Sequence, residues 1–104
     1  MNLIHKQCIP CEGNVPPLLK DYAQELLLQV PGWDLQDTYL TRTYRFASFA
    51  DAMLFVNKVA TLAEQEGHHP DITITYNVVT LTLTTHSISG LSENDFILAA
   101  KIDA

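Results

Sequence analysis

The chain has 104 residues, of which 47% are hydrophobic and 17% charged, a composition typical of one globular domain, here 1–104, with a modest core. Its formal net charge is −6 with only 6 Lys and Arg, which disfavours nucleic acid as a partner and favours a small molecule or a protein. No apolar run approaches the ~18 residues needed to span a membrane, and no signal-peptide segment opens the chain, so we expect a cytoplasmic protein without membrane contact.

The first segment, 1–15, is predicted to be a polar N-terminal arm, and both cysteines lie in it as Cys8-x-x-Cys11. This spacing is compatible with a redox pair or with half of a zinc site. A structural zinc ion needs four ligands, however, and the chain offers His5 nearby but no second cysteine pair. We therefore interpret the cysteines as a reduced, structural thiol pair and assign them no chemistry.

One helix and two strands are predicted after the arm. Apolar residues recur at helical spacing over 18–30, and Pro31-Gly32 ends this helix. Short strands follow at 33–36 and 39–46, where threonines and aromatic residues alternate loosely.

A second helix begins at a capping box formed by Ser48 and Asp51. Gly67 is its predicted C-terminal cap, and Pro70 prevents the helix from resuming. The predicted buried face consists of Phe49, Met53, Val56, Ala60 and Ala63, extended by Phe55, Val59 and Leu62.

The clearest periodicity follows, where apolar residues and threonines alternate over 72–76 and 79–84. It predicts a hairpin with one apolar face and one threonine face. A turn at Asn77-Val78 would set 72 opposite 83 and 74 opposite 81. A second capping box, Ser92 with Asp95, opens the last helix. The element order α-β-β-α-β-β-α predicts an α+β domain with three helices on one face of a four-stranded antiparallel sheet.

Three of the four histidines are predicted to meet at one end of the hairpin. Extended outward, the predicted register sets His86 opposite His69, and His68 is adjacent. Glu64 precedes His68 by four residues, and Asp95 follows the loop after His86. Histidine is the usual proton-transfer residue near neutral pH, and carboxylates orient its ring. Three histidines can also hold a catalytic zinc ion, but adjacent residues rarely aim both rings at one ion, so we rank acid–base catalysis first.

These residues resemble the pterin-4a-carbinolamine dehydratases. The shared pattern is an acidic residue, a His-His-Pro sequence, an aromatic residue, a histidine and an aspartate. The resemblance also covers the "PGW" sequence that ends at Trp33 and the late "GLSENDF" segment, and it extends over nearly the whole chain from Pro16 on. In this sequence the pattern is formed by Glu64, His68-His69-Pro70, Tyr76, His86 and Asp95.

The resemblance implies an α+β fold and a hydro-lyase reaction, in which 4a-hydroxytetrahydropterin loses water to give quinonoid dihydropterin. No metal, cofactor or prosthetic group is expected. By matched position, His68 and His86 would transfer protons and His69 would orient the pterin ring. Two carboxylates would support histidines: Glu64 would support His68, and Asp95 would support His86 or its loop. Trp33 and Pro70 would form apolar walls against the pterin ring.

The family also implies a homodimer or homotetramer and a functional link to an aromatic amino-acid hydroxylase, whose hydroxylated pterin by-product the dehydratase returns to recycling. Two other functions remain open. One is a non-catalytic binding or assembly module of the same fold, and the other is a histidine-ligated metal hydrolase.

Overall fold

The computed structural model of the chain describes residues 2–9 and 16–104. Its main elements are α1 (Lys20–Leu27), β1 (Asp34–Leu35), β2 (Leu40–Arg45), α2 (Phe49–Glu66), β3 (Asp71–Thr75), β4 (Val78–Leu83) and α3 (Glu93–Ile102). Short 3-10 turns occupy Leu3–His5 and His86–Ile88. The strands form one antiparallel sheet in the spatial order β1-β2-β4-β3, and the helices cover one face, which confirms the predicted α+β fold.

The hydrophobic core lies between the sheet and the helices α2 and α3. Successive side chains of a strand point to opposite faces, and Val79, Leu81 and Leu83 of β4 all lie fully buried on the core side. In α3, every residue from Asn94 to Ala100 is buried. No helix in the described part of the chain is both long enough and apolar enough to cross a membrane.

The predicted buried face of α2 was wrong at Phe49 and Ala60, which are exposed, and it missed the fully buried Ala52. The prediction was anchored on the large Phe49, but this residue is the first of the helix and is 50% exposed. The observed buried residues recur by four, three and four positions, as one helix face requires. They are Ala52, Val56, Val59 and Ala63.

The helix α1 begins after the extended Leu19, later than predicted, and it also ends earlier, because the residues after Leu27 form tighter turns. The N–H groups of Gln29 and Val30 each donate to the carbonyl three residues earlier, at 3.0 Å. Leu26 and Val30 are nevertheless buried, so the predicted apolar stripe is in place. The strands β1 and β2 begin and end within the predicted segments 33–36 and 39–46.

Local capping signals near α2 are confirmed. The Ser48 hydroxyl accepts a hydrogen bond from the Asp51 N–H at 3.1 Å. At the other end, Gly67 has a left-handed conformation with φ 65°, and its N–H donates to the Ala63 carbonyl. A side chain at this φ would be strained, which is why a glycine suits the position. The chain therefore leaves α2 abruptly, directly before His68.

The β3–β4 hairpin has the predicted faces, but the predicted register was wrong by two residues. Because side chains alternate with a period of two, this slip keeps apolar residues on one face and threonines on the other. The extrapolated pairing of His69 with His86 was therefore also wrong, since neither lies in a strand and the observed register would set His86 opposite Gly67. The observed apolar pairs are Ile72 with Leu81 and Ile74 with Val79.

The slip arises at the turn, which consists of Tyr76 and Asn77 instead of Asn77 and Val78. Tyr76 adopts φ 51°, a conformation uncommon for a residue other than glycine. Two hydrogen bonds anchor the turn to the end of β2: the Asn77 side-chain amide donates to the Phe46 carbonyl at 2.7 Å, and the Phe46 N–H donates to the Asn77 carbonyl at 2.9 Å. These bonds offset the strain at Tyr76.

The end of α3 is attached to the sheet through one carboxylate, that of Asp103. The Trp33 indole N–H donates to its Oδ2 at 2.9 Å, and the Arg42 guanidinium donates to the same oxygen at 2.7 Å. The Tyr44 hydroxyl donates to Oδ1 at 2.6 Å. Burial, followed by this hydrogen bond, raises the pKa of Tyr44, so the hydroxyl stays protonated as a donor.

We expect Asp103→Ala to lower the free energy of unfolding by about 2–4 kcal/mol, because it leaves the indole N–H of Trp33 and two further donors without their acceptor. The measurement is the urea midpoint at an unchanged denaturant slope. Asp37→Ala, which removes an exposed carboxylate from the β1–β2 connection, is the matched control and should change stability by less than about 0.5 kcal/mol. Equal midpoints for the two variants would contradict this role for Asp103.

Candidate active site

The three predicted histidines line one cleft, formed by the end of α2, the segment after β4 and the first turn of α3. The cleft has a volume of about 260 Å³. This is near the lower limit of about 300 Å³ for pockets that hold drug-sized ligands, so the cleft suits a small molecule. Other hollows of comparable size in the described residues contain no histidine. The lining residues are Ile9, Gly67, His68, His69, Thr84, Thr85, His86, Ser87 and Asn94.

His68 is held by a buried carboxylate. Its Nε2 lies 2.6 Å from Asp95 Oδ1. The His68 side chain is 12% exposed and the Asp95 side chain 0% exposed. An ionised carboxylate can only accept hydrogen bonds, so Nε2 carries a proton, and Nδ1 is the ring nitrogen left for a ligand.

Asp95 is bonded through both oxygens. Its Oδ2 accepts from the Ser92 N–H at 3.0 Å and from the Thr85 hydroxyl at 2.8 Å. The Ser92 and Thr85 hydroxyls lie 2.7 Å apart. The predicted capping box of Ser92 and Asp95 is thus confirmed, and a negative charge in the first turn of a helix is favourable. The same carboxylate that begins α3 also fixes the ring of His68.

The two carboxylates pair with different histidines from those predicted. Asp95 was predicted to support His86 or its loop. It does contact that loop, through Thr85, but the ring that it holds is that of His68. Glu64 was predicted to support His68 and instead contacts Nε2 of His69. The physical reason is the left-handed turn at Gly67, which ends the helical spacing before His68. Glu64 and His69 are exposed, at 77% and 60% of their side chains, so water screens this pair.

His86 begins the 3-10 turn after β4 and is exposed. The loop around it is closed by Thr85 and Gly90, whose backbones form an isolated antiparallel bridge, with the Thr85 N–H donating to the Gly90 carbonyl at 2.9 Å. Within residues 2–9 and 16–104, no side chain holds the His86 ring by a hydrogen bond or ion pair. The backbone therefore positions His86, whereas a carboxylate positions each of the other two rings.

The two predicted apolar walls do not line the cleft. Trp33 is 2% exposed and lies in the core, where its indole N–H is bonded to Asp103. Pro70 follows His69 directly and is half-buried, but it contributes no surface to the cleft. The sequence could not predict the burial of Trp33. This residue directly precedes β1, which has only two residues, and packing decides which side of the sheet so short a segment faces.

The sequence interpretation missed several lining residues. Thr84, Thr85 and Ser87 flank His86, so their proximity in the chain was an available signal. Asn94 directly precedes the predicted Asp95, so the same signal was available for it. Ile9 lacks such a signal, because it meets the cleft only through the folded arm. Among the described residues, no group of three or more His, Cys, Asp or Glu side chains is arranged to hold a metal ion.

Of the two cysteines, Cys8 lies in the described part of the arm, and Cys11 lies outside the described residues. The Cys8 N–H donates to Glu66 Oε1 at 2.9 Å, and its thiol lies 3.5 Å from the Asn94 carbonyl oxygen. Burial, together with the negative charge of Glu66, raises the pKa of this thiol to about 12. The reactive thiolate is therefore scarce at neutral pH, which favours the unreactive interpretation for Cys8.

Sequence comparisons connect this chain to one family. The family model described as Pterin 4 alpha carbinolamine dehydratase matches residues 16–104. Two relatives bear the name "Putative pterin-4-alpha-carbinolamine dehydratase". The one from Methylococcus capsulatus is 51% identical over 98% of this chain and 91% of its own length. The one from Nitrosomonas eutropha is 50% identical over the same shares of the two chains.

Two solved structures are similar in fold. A transcriptional coactivator/pterin dehydratase from Brucella melitensis has a TM-score of 0.79 and 34% identity, covering 84% of this chain and 95% of its own. A pterin dehydratase-like protein identified as a RuBisCO assembly factor in the alpha-carboxysome has a TM-score of 0.56 and 26% identity, covering 68% of this chain and 82% of its own.

The raised pKa of Cys8 predicts slow alkylation. In a Cys11→Ser background, we expect iodoacetamide at pH 8 to modify Cys8 about 10²-fold or more slowly in the folded protein than in urea, because the thiolate fraction is small and the thiol is half-buried. Mass spectrometry of timed samples measures both rates, and a variant lacking both cysteines gives the blank. Similar rates in the folded and unfolded protein would contradict the assigned environment.

Proposed function

The chain belongs to the pterin-4a-carbinolamine dehydratase family, and from this premise we propose that its histidine cleft dehydrates 4a-hydroxytetrahydropterin to quinonoid dihydropterin. The observation that carries the proposal is the buried pair of His68 and Asp95, which lies at a cleft also lined by His69 and His86. A small cleft with two differently positioned proton carriers suits a reaction that only moves protons and releases water.

The proposed reaction balances without an external oxidant or reductant. The C4a–O bond breaks and the hydroxyl leaves as water after receiving one proton. N5 loses one proton, and its electrons form the new double bond to C4a. One proton is given and one is taken, so the histidines return to their starting state after exchange with water.

We assign the two proton transfers from the positioning of each ring. In neutral His68, the Asp95 contact places the proton on Nε2 and leaves Nδ1 as a base for the N5 proton. We assign His86, whose loop is closed by the backbone bridge between Thr85 and Gly90, as the acid for the leaving hydroxyl. His69, held by an exposed carboxylate at the cleft, is assigned to substrate orientation. The scheme uses no metal and no cofactor.

One observation favours a second candidate function. The structural neighbour at 26% identity is named a RuBisCO assembly factor, so a protein of this fold can serve as an assembly module. We rank this alternative below catalysis because all three histidines of this chain line one cleft, beside the contact between His68 and Asp95. A histidine-ligated metal hydrolase ranks third.

The proposal also includes a setting. We propose a homo-oligomer that works in the cytoplasm on hydroxylated pterin released by an aromatic amino-acid hydroxylase. The acidic net charge of −6 is compatible with a small, uncharged heterocycle as the ligand and disfavours nucleic acid.

The first test is a stopped-flow assay on synthetic 4a-hydroxytetrahydropterin, with the spontaneous reaction subtracted. We expect His68→Ala and His86→Ala to lower kcat by about 10²-fold or more each, because each removes a proton carrier. His69→Ala should mainly raise KM. The fourth histidine, His5, is exposed in the arm and does not line the cleft, so His5→Ala is the matched control.

Unchanged rates in all three cleft variants would overturn the catalytic proposal and leave the assembly function. Elemental analysis of the active protein distinguishes a metal hydrolase from the proposed metal-free dehydratase. Stoichiometric zinc whose removal abolishes turnover would overturn the metal-free scheme.

The second test changes the hydrogen-bond pattern at Asp95 with little change in shape. In Asp95→Asn, the Ser92 N–H can only donate, so the new amide oxygen must face it and the amide NH₂ must face His68. Nε2 of His68 must then accept, which moves the proton of the neutral ring to Nδ1. The base is blocked, so we expect kcat to fall by about 10²-fold or more in a folded protein.

Glu64→Gln is the comparison, because it makes the same chemical change at the exposed carboxylate of His69. We expect a loss below about fivefold there, since water already screens that contact. Circular dichroism and thermal unfolding establish that both variants are folded. Equal losses in the two variants would contradict the assignment of His68 as the base.

A further inference from the structure

The N-terminal arm contributes the isoleucine Ile9 to the lining of the histidine cleft. Ile9 is 71% exposed, so its side chain is accessible to a ligand in the cleft that it lines. A single exposed isoleucine is ordinary on a protein surface. Here, however, several specific contacts hold this residue in place.

The principal contact is a two-way hydrogen bond to Asn94 in the first turn of α3. The Ile9 N–H donates to Asn94 Oδ1 at 3.0 Å, and the Asn94 amide donates to the Ile9 carbonyl at 2.6 Å. Asn94 is 5% exposed, so both bonds are shielded from water. The amide satisfies both backbone groups of Ile9 and fixes the direction of the chain at that point.

Three further contacts hold the arm before Ile9. Leu3 is 2% exposed and packs in the core. Lys6 forms an ion pair with Glu93. The Cys8 N–H is bonded to Glu66, which itself forms an ion pair with Lys101 at 2.7 Å. These contacts tie the arm to α3 and to the end of α2.

Asn94 also precedes Asp95, the residue that holds His68. One turn of helix therefore fixes both the arm and the proton-transfer ring, and it sets their relative positions. A flat heterocycle presents apolar ring faces that need an apolar surface. With Trp33 in the core and Pro70 away from the cleft, Ile9 is the one aliphatic side chain among the lining residues that the structure describes.

We infer that Ile9 is the apolar wall against which the pterin ring packs and that Asn94 is the positioning residue that holds this wall beside the histidines. This inference rests on the proposed function and adds to it a residue that determines affinity. Ile9 touches the substrate, whereas Asn94 acts through the arm.

The test measures binding and turnover separately. Binding is followed by the fluorescence of biopterin, a stable oxidised pterin, and turnover by the stopped-flow assay. We expect Ile9→Ala to raise Kd and KM by about 5-fold to 20-fold, because it removes three carbon atoms and with them part of the apolar contact with the ring. The variant should change kcat by less than about threefold. Ile4→Ala is the matched control, because Ile4 is an exposed isoleucine of the same arm that does not line the cleft.

Asn94→Ala should raise KM as Ile9→Ala does, again with little change in kcat, because Asp95 still holds His68. The double variant should be no worse than Asn94→Ala alone, since the wall is already displaced. A large fall in kcat, or additive effects of the two changes, would show that Asn94 acts by another route and would overturn its assigned role. Thermal unfolding of each variant excludes loss of folded protein.

A Kd for Ile9→Ala equal to that of the wild type or of Ile4→Ala would overturn the inference about the wall. If the His68 variants still lose turnover in that case, the proposed function stands without it. If the wild type has no turnover, the proposed function fails, and the biopterin titration alone decides about Ile9. Absence of biopterin binding to the wild type, together with absence of turnover, overturns both.

Discussion

The buried carboxylate of Asp95 is the interaction on which both the last helix and the candidate site depend. Removing a carboxylate from water costs several kcal/mol even after the surroundings relax. Donors from three separate parts of the chain offset this cost: the Ser92 N–H at the start of α3, the Thr85 hydroxyl after β4, and the His68 ring after α2. The charge is well solvated only when all three donors are in place. The same carboxylate therefore joins the start of α3 to the cleft, and no buried side-chain nitrogen or oxygen among the described residues is left without a partner.

The three rings differ in how firmly they are held, and this difference follows from burial. His68 is 12% exposed beside a carboxylate that water does not reach, so its tautomer is fixed. The His69 and Glu64 pair lies in water, where attraction between charges is weak. His86 depends on a short loop closed by the bridge between Thr85 and Gly90. One firmly held ring and two adaptable rings are compatible with the proposed reaction, in which the bonding of the substrate changes as water leaves C4a.

Much of this arrangement could be predicted from the sequence, where local chemistry decides it. The capping residues Ser48, Gly67 and Ser92 fixed the ends of helices, and the alternation of threonines fixed the faces of the hairpin. The hairpin register depended on hydrogen bonds between Asn77 and Phe46, 31 residues apart, and no local pattern encodes them. The carboxylate pairing failed for a related reason. Helical spacing joins Glu64 to His68 only while the helix continues, and the left-handed Gly67 ends it one residue too early. The buried position of Trp33 likewise depends on distant parts of the chain, since it packs in the core and its indole N–H is bonded to Asp103, 70 residues away.

The position of the arm has a consequence for how the cleft can vary. All three histidines and Asp95 lie within the part of the chain that the family model matches, 16–104, and Ile9 lies before it. The proposed proton carriers therefore lie inside the family domain, and one apolar side chain of the cleft comes from outside it. Asn94 joins the two parts with hydrogen bonds to the backbone of Ile9, and such bonds do not depend on which side chain the arm presents. A change at position 9 can thus alter the fit of a ligand without disturbing the bonds that hold the arm or the carboxylate that holds His68. This separation allows the affinity of the site to change while its chemistry stays the same.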